Sequence, residues 1–240
     1  MVSEHIVHAY DDQLKRLKAE ISEMGGLVEA QLGQAIQAVG SRDAELGQRC
    51  VASDARVDAL ERQINESVVK MLALRQPMAS DLRTILSALK IAADLERIGD
   101  YAANAGKRVQ ALNQFPPVPS VGGVVRLGQL ARHVVKDVLD AFASSDTARA
   151  IQVWQRDEEV DAMYTSLFRE LLTYMMEDPR NITPCTHLLF IAKNLERIGD
   201  HATNIAETIH FQVVGRTIAE ARPKGDETSF AVVEPDARRS

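Results

Sequence analysis

Four pairs of acids, each pair spaced four residues apart, carry the chemistry this sequence could do: Asp54/Asp58, Glu96/Asp100, Asp157/Asp161 and Glu196/Asp200. Residues four apart lie only about 40° apart around a helix, so each pair forms an acidic stripe. Like charges at that spacing repel and weaken the helix that carries them. Two such pairs converging from neighbouring helices would repel strongly unless a cation lay between them. An all-oxygen set suits a hard cation: Mg, Mn, Ca, or iron in a multinuclear carboxylate-bridged cluster. Asn104 and Asn204 extend two of the stripes by a turn, as an oxygen ligand or hydrogen-bond partner would. A plainer reading leaves the acids on solvated faces, paired with Arg56, Arg97, Arg156 and Arg197. Such pairs contribute roughly 0.3–0.5 kcal/mol each.

The elements that would position these acids follow from an internal duplication. Residues 91–104 read IAADLERIGDYAAN and residues 191–204 read IAKNLERIGDHATN, with Leu95–Asp100 repeated unchanged as Leu195–Asp200. Upstream, Asp43 matches Asp146, and Asp54, Val57, Asp58 and Ala59 match Asp157, Val160, Asp161 and Ala162. The offset there is 103 and falls to 100 at LERIGD, so the second copy lacks three residues between them. Indels fall in loops, and the natural place is the turn that carries Pro77 in one copy and Pro179 in the other. Gly99 and Gly199 sit inside the acidic stripes, where glycine costs about 1 kcal/mol against alanine. Close helix approach beside the carboxylates would account for them.

Apolar residues at steps of three and four predict six long helices: about 5–42, 43–76, 80–113, 124–144, 146–177 and 183–212. Gly25-Gly26 is expected to interrupt the first, Asp43 to cap the second, and Ser80 or Asp81 to cap the third. Gln114–Ser120, QFPPVPS, reads as a linker because proline lacks the N–H a helix needs. The fold class is therefore all-α: two tandem, pseudo-repeated, antiparallel three-helix bundles, residues 1–114 and 120–212, with a flexible tail at 213–240.

Composition narrows the function. Only 5% of residues are aromatic against 45% apolar, which suits Ala/Leu/Ile-rich helix packing. The net charge of −6 and the absence of a basic block argue against nucleic-acid binding. No stretch approaches eighteen apolar residues, so no direct membrane insertion is expected. The first residues carry early acids and no apolar run, and Cys50 and Cys185 lack metal or redox spacing; the expectation is a cytoplasmic protein. Glu207-x-x-His210 has the spacing of a diiron half-site but lacks a second copy on another helix. No phosphate-binding loop, dinucleotide fingerprint or nucleophile elbow is present.

The MGGLVEAQL of the first helix, RQPMASDLR, both LERIGD copies and TYMMEDPRNI resemble the PhoU family of phosphate-signalling regulators, over nearly the whole chain. That resemblance implies two similar three-helix bundles. It also implies metal clusters held by E(D)-x-x-x-D motifs, which fall here on the eight acids named above, all intact. It implies negative regulation of the phosphate-starvation response and of phosphate uptake. The partners it implies are the ATPase subunit of a phosphate ABC transporter and the sensor histidine kinase of the phosphate two-component system. The apolar helix faces allow a homodimer. Three readings thus stand at the level of sequence: a non-enzymatic adaptor, a carboxylate-bridged metalloenzyme, and a metal-free structural bundle.

Overall fold

A computed structural model describes residues 2–75, 77–223, 225 and 228 of the chain. Among them are seven α-helices and one 3-10 turn: α1 Val2–Ser41, α2 Ala44–Arg75, α3 Ala79–Leu112, α4 Val121–Ser144, α5 Thr147–Gln155, α6 Asp157–Glu177, the 3-10 turn Pro179–Asn181, and α7 Ile182–Val214. The all-α class read from the sequence is the observed one. None of these helices is long and apolar enough to cross a membrane.

The helix expected over 146–177 is broken at one residue. Arg156 leaves helical geometry (φ −83°, ψ 0°), and its N–H bonds Val153, three residues back. Asp157, Glu158 and Glu159 then form the first turn of α6. Three acids in succession favour a helix N-terminus, where the backbone dipole is positive. The matching residues of the first copy are Asp54, Ala55 and Arg56, and α2 runs through them unbroken.

Other boundaries also differ from the expected ones. Gly25-Gly26 does not interrupt α1; Gly25 leaves room for the Leu139 side chain of α4. Neither Ser80 nor Asp81 caps α3, whose N-cap is Met78, with Ala79 in a left-handed conformation (φ +48°). Gly122 and Gly123 lie inside the first turn of α4 rather than before it. Asp43 and Asp146 do cap their helices: Asp43 accepts from Leu46 N at 2.9 Å, and Asp146 from Ala148 and Arg149. α3 begins at Ala79, and Asp178 alone separates α6 from the 3-10 turn that begins at Pro179, so the offset of 100 already holds where these two elements start.

Helices α1, α2 and α3 pack against one another, and α4, α5 and α6 pack around α7. The two units do not have separate cores. The broadest helix–helix contact is between α3 and α7, the two LERIGD helices, α1 packs on α4, and the buried apolar residues form one continuous cluster. The Pro-rich linker joins that core through Val118, and Arg42 donates to the carbonyls of Leu112 and Phe115 at its start. Gly215, in a left-handed conformation (φ +77°), ends α7. The chain then runs back along the second unit instead of hanging free; the rest of the expected tail lies outside the described residues.

Candidate functional site

In the first unit, Asp54 and Asp58 on α2 face Glu96 and Asp100 on α3, and all four are half-buried. Gly99 is what lets the helices meet here. A side chain on it would come within 3.1 Å of Gln31 Oε1, 3.3 Å of Val57 Cγ1 and 3.4 Å of Asp54 Oδ1. Burial pushes the Asp54 carboxyl up; the charges of Asp100 and Asp58 add to this, against a lowering hydrogen bond from Gln31. Burial raises Glu96 as well, with Asp100 and Asp58 again contributing. The four acids therefore act on one another across the helix contact. Two cations lie near them: Arg97, 3.4 Å from Glu96 and 3.3 Å from Asp100 with its side chain more than half exposed, and Lys107, whose charge favours the ionised form of Asp54.

Gln31 was not among the expected site residues. It is buried on α1, donates from Nε2 to Asp54 Oδ1 at 3.1 Å and to the Cys50 carbonyl at 3.2 Å, and leaves Oε1 without a hydrogen-bond partner. A buried, unsatisfied amide oxygen is costly, and this one lies beside the acid set. The signal was present in the sequence: Gln31 stands three residues after Val28 and four before Ala35, on the apolar stripe of α1.

The second unit repeats the plan with a different outcome. Asp157, Asp161 and Glu196 are 2%, 4% and 5% exposed, far deeper than their counterparts; only Asp200 is half-buried. Gly199 packs against Val160, as Gly99 does against Val57. Three side chains absent from the first unit meet the buried charge. Thr203, in register with Ala103, donates to Asp157 Oδ1 at 3.0 Å. Lys193, in register with Ala93, donates to Glu196 Oε1 at 2.9 Å. Arg222, from beyond α7, donates to Asp157 Oδ2 at 2.7 Å and Oδ1 at 3.0 Å, to Asp200 Oδ1 at 2.6 Å and to Asn204 Oδ1 at 3.1 Å. Burial pulls the guanidinium pKa down, but its hydrogen bond to Asp157 and the charges of Asp157, Asp200 and Glu207 more than offset that and hold it above its usual value. Gly225 N–H donates to Asp161 Oδ2 at 2.8 Å. Glu196 keeps one buried oxygen, Oε2, without a partner, and burial pushes its pKa up to about 7 despite Lys193.

Donor chemistry fits a hard cation in the first set: four carboxylates and an orphaned amide oxygen, with one partly solvated arginine alongside. In the second set the carboxylates fit the same cation by type, but a guanidinium already stands between two of them. Among the described residues, no group of three or more His, Cys, Asp or Glu side chains is arranged, as it stands, to hold a metal ion. Of the arginines expected to neutralise the acids, Arg97 does so, Arg156 turns to Asp137 and Glu159, and Arg197 lies over the Tyr101 ring. Glu207 and His210 are used structurally: Trp154 Nε1 donates to Glu207 at 3.0 Å, and His210 Nδ1 lies 3.0 Å from the Arg216 carbonyl. Cys50 and Cys185 are free and buried, and burial pushes the Cys50 thiol up to about 12, so it is unreactive.

Set against known proteins, the chain matches a family model described as the PhoU domain twice, over residues 21–109 and 124–209. It is 52% identical over 226 residues to the phosphate-specific transport system accessory protein PhoU homolog of Caulobacter vibrioides, covering 94% of this chain and 98% of that protein. PhoU from Pseudomonas aeruginosa, solved by crystallography, matches with a TM-score of 0.82 at 41% identity, over 86% of this chain and 100% of that one. The phosphate transport system regulatory protein PhoU from Streptococcus pneumoniae matches with a TM-score of 0.80 at 30% identity, over 88% and 100%.

Proposed function

Because this chain belongs to the PhoU family, we propose that it is a cytoplasmic, non-enzymatic negative regulator of the phosphate-starvation response and of phosphate uptake. On this reading it is an adaptor between the ATPase subunit of the phosphate ABC transporter and the sensor histidine kinase of the phosphate two-component system. A second copy of the chain is a further partner. The observation that carries the reading is the match of both halves to one domain family, with full-length relatives named as accessory or regulatory proteins of phosphate transport. An adaptor needs contact surfaces more than a substrate pocket. Exposed apolar side chains at the two equivalent inter-helix turns, Leu74 and Met78 in one copy and Met176 and Ile182 in the other, support that use.

The acid sets have a place in this reading as cation sites. Asp54, Asp58, Glu96 and Asp100 would hold Mn, Mg or iron in the first unit, and Asp157, Asp161, Glu196 and Asp200 in the second. A bound cation would neutralise the mutual repulsion and tie the two helices of each unit together. The test of the regulatory reading is genetic. A strain lacking the gene should express alkaline phosphatase in high phosphate, and the intact gene should restore repression. A deletion strain that stays repressed overturns it.

A further inference from the structure

The two acid sets descend from one duplicated sequence, yet among the described residues only the second is covered by the segment that follows α7. The covering segment follows α7. Arg222 enters between α6 and α7 and uses all three of its nitrogens. Nε and Nη2 make a paired contact with Asp157, Nη2 also reaches Asp200 Oδ1 and its carbonyl at 3.3 Å, and Nη1 reaches Asn204. Paired guanidinium–carboxylate contacts combine charge with fixed geometry, which makes them strong and specific. Three residues on, the Gly225 amide closes on Asp161. Glycine suits that position, since a side chain on residue 225 would meet Asp161 Cβ at 3.2 Å and the Glu158 carbonyl at 3.4 Å. The segment thus engages three of the four acids, and Arg222 itself is mostly buried, with 18% of its side chain exposed.

We propose that this segment is a built-in occupant of the second acid set, so that Arg222 and a divalent cation exclude each other there. The proposal rests on the reading of the acid sets as cation sites. A cation shared by Asp157 and Asp200 would need the space that Arg222 Nη2 fills, 3.0 Å from one carboxylate and 2.6 Å from the other. Two cations held on the same carboxylates also repel. The exclusion is therefore both steric and electrostatic. The fourth acid supplies an independent sign that the segment is an imperfect occupant: Glu196 Oε2 is buried with no hydrogen-bond partner while Arg222 is seated. In the first unit the chain leaves α3 for the linker and α4, and the arginine beside the acids is Arg97 of the same helix, which is more than half exposed. The duplication has thus yielded one set open to solvent cations and one that opens only when its own tail lets go. Cation binding at the second set would release the segment after α7, turning metal occupancy into a change at the surface of the protein.

The test uses the full chain, stripped with chelator and titrated with Mn alone. Its first arm needs no variant of the second set. Hydrogen exchange of the Gly225 amide, which donates to Asp161, should be slow without Mn and about tenfold faster with saturating Mn, since exchange follows the population of the open form. Exchange that Mn leaves unchanged overturns the proposal. The second arm counts bound Mn in protein carrying Asp58→Ala and Asp100→Ala, which removes the first set. Adding Arg222→Ala, or the better shape match Arg222→Gln, should lower the Mn concentration needed for half-occupancy about tenfold or more. Adding Asp161→Ala should abolish the uptake. Equal uptake with and without Arg222, or uptake by neither, overturns the exclusion. The deletion phenotype is read separately, so failure of the Mn arms leaves the regulatory reading standing.

Discussion

Gly47 and Gly106 bring α2 and α3 together backbone against backbone. A side chain on Gly47 would lie 2.7 Å from the Gly106 carbonyl oxygen, and one on Gly106 would lie 2.9 Å from that of Gly47. Gly99 approaches side chains, which can shift; this pair meets main chain, which cannot. Gly106→Ala should therefore cost about 1–3 kcal/mol by overpacking, with Gly99→Leu and Gly199→Leu in the same range. Gly26 is the control. Nothing lies within 4 Å of a side chain placed there, so Gly26→Ala should stabilise α1 by up to about 1 kcal/mol. Urea midpoints of the four variants decide it, and equal midpoints throughout would remove close approach as the reason for the glycines.

The first acid set separates a cation site from a solvated face. Burial and mutual repulsion already raise Asp54 and Glu96. In chelated protein, Asp58→Ala with Asp100→Ala should leave stability unchanged or raise it slightly, because it removes like charge. With metal present, wild type should gain about 2.7 kcal/mol at one hundred times the dissociation constant, and the double variant should gain nothing. Thermal unfolding after chelation and after reloading with Mn, Mg or iron is the measurement. A wild type that gains no more than the variant makes the acids a solvated face.

Glu196 predicts a pH dependence whose sign is opposite to that of a salt-bridged acid. Its carboxyl titrates near 7 in the folded chain against 4.5 for an ordinary glutamate, so between those values the native state holds a proton that the unfolded state has lost. Stability from this residue is present in full below the unfolded value, falls as pH rises through the window, and is flat above it. Glu196→Gln, which cannot ionise, should remove that slope. The variant should be more stable than wild type near pH 8 by about 3 kcal/mol, with the gap closing towards pH 5. A gap that does not vary with pH would place the Glu196 titration elsewhere.

Gln31 should tune the first set from α1. Its amide donates to Asp54, which favours the ionised carboxylate, while its own Oε1 goes unsatisfied. Gln31→Leu should raise the Asp54 pKa further, as read by carboxyl-carbon NMR. The net change in stability should be within about 1 kcal/mol, because the lost hydrogen bond and the removed orphan oxygen oppose each other. An unmoved Asp54 titration would show that the hydrogen bond carries no weight.

Local periodicity and direct repetition set the helices and their acidic faces, and both are legible in the amino-acid order. The three-and-four spacing of Leu17, Ile21, Met24, Val28 and Leu32 makes α1 amphipathic wherever it packs, and all five are buried. The register of Asp54 with Asp157 and of Gly99 with Gly199 placed equivalent groups at equivalent helix contacts, because a helix converts sequence spacing directly into a face. Even the break at Arg156 had its signal in three consecutive acids.

Which charges those faces meet depends on packing, because partners far apart in sequence have no period to reveal them. Arg222 lies 65 residues from Asp157, and Gln31 lies 23 from Asp54. The sharing of one core by the two units was likewise invisible in the repeat, since each LERIGD helix reads the same whether its outer face meets water or its own duplicate. His201 stands in place of Tyr101, and in the folded chain it reaches Asp94 of the other unit at 2.7 Å, across the seam between α3 and α7. Identical motifs end as unlike sites because burial and counter-charge belong to the packing of distant segments, and the duplication copied only the local stretch.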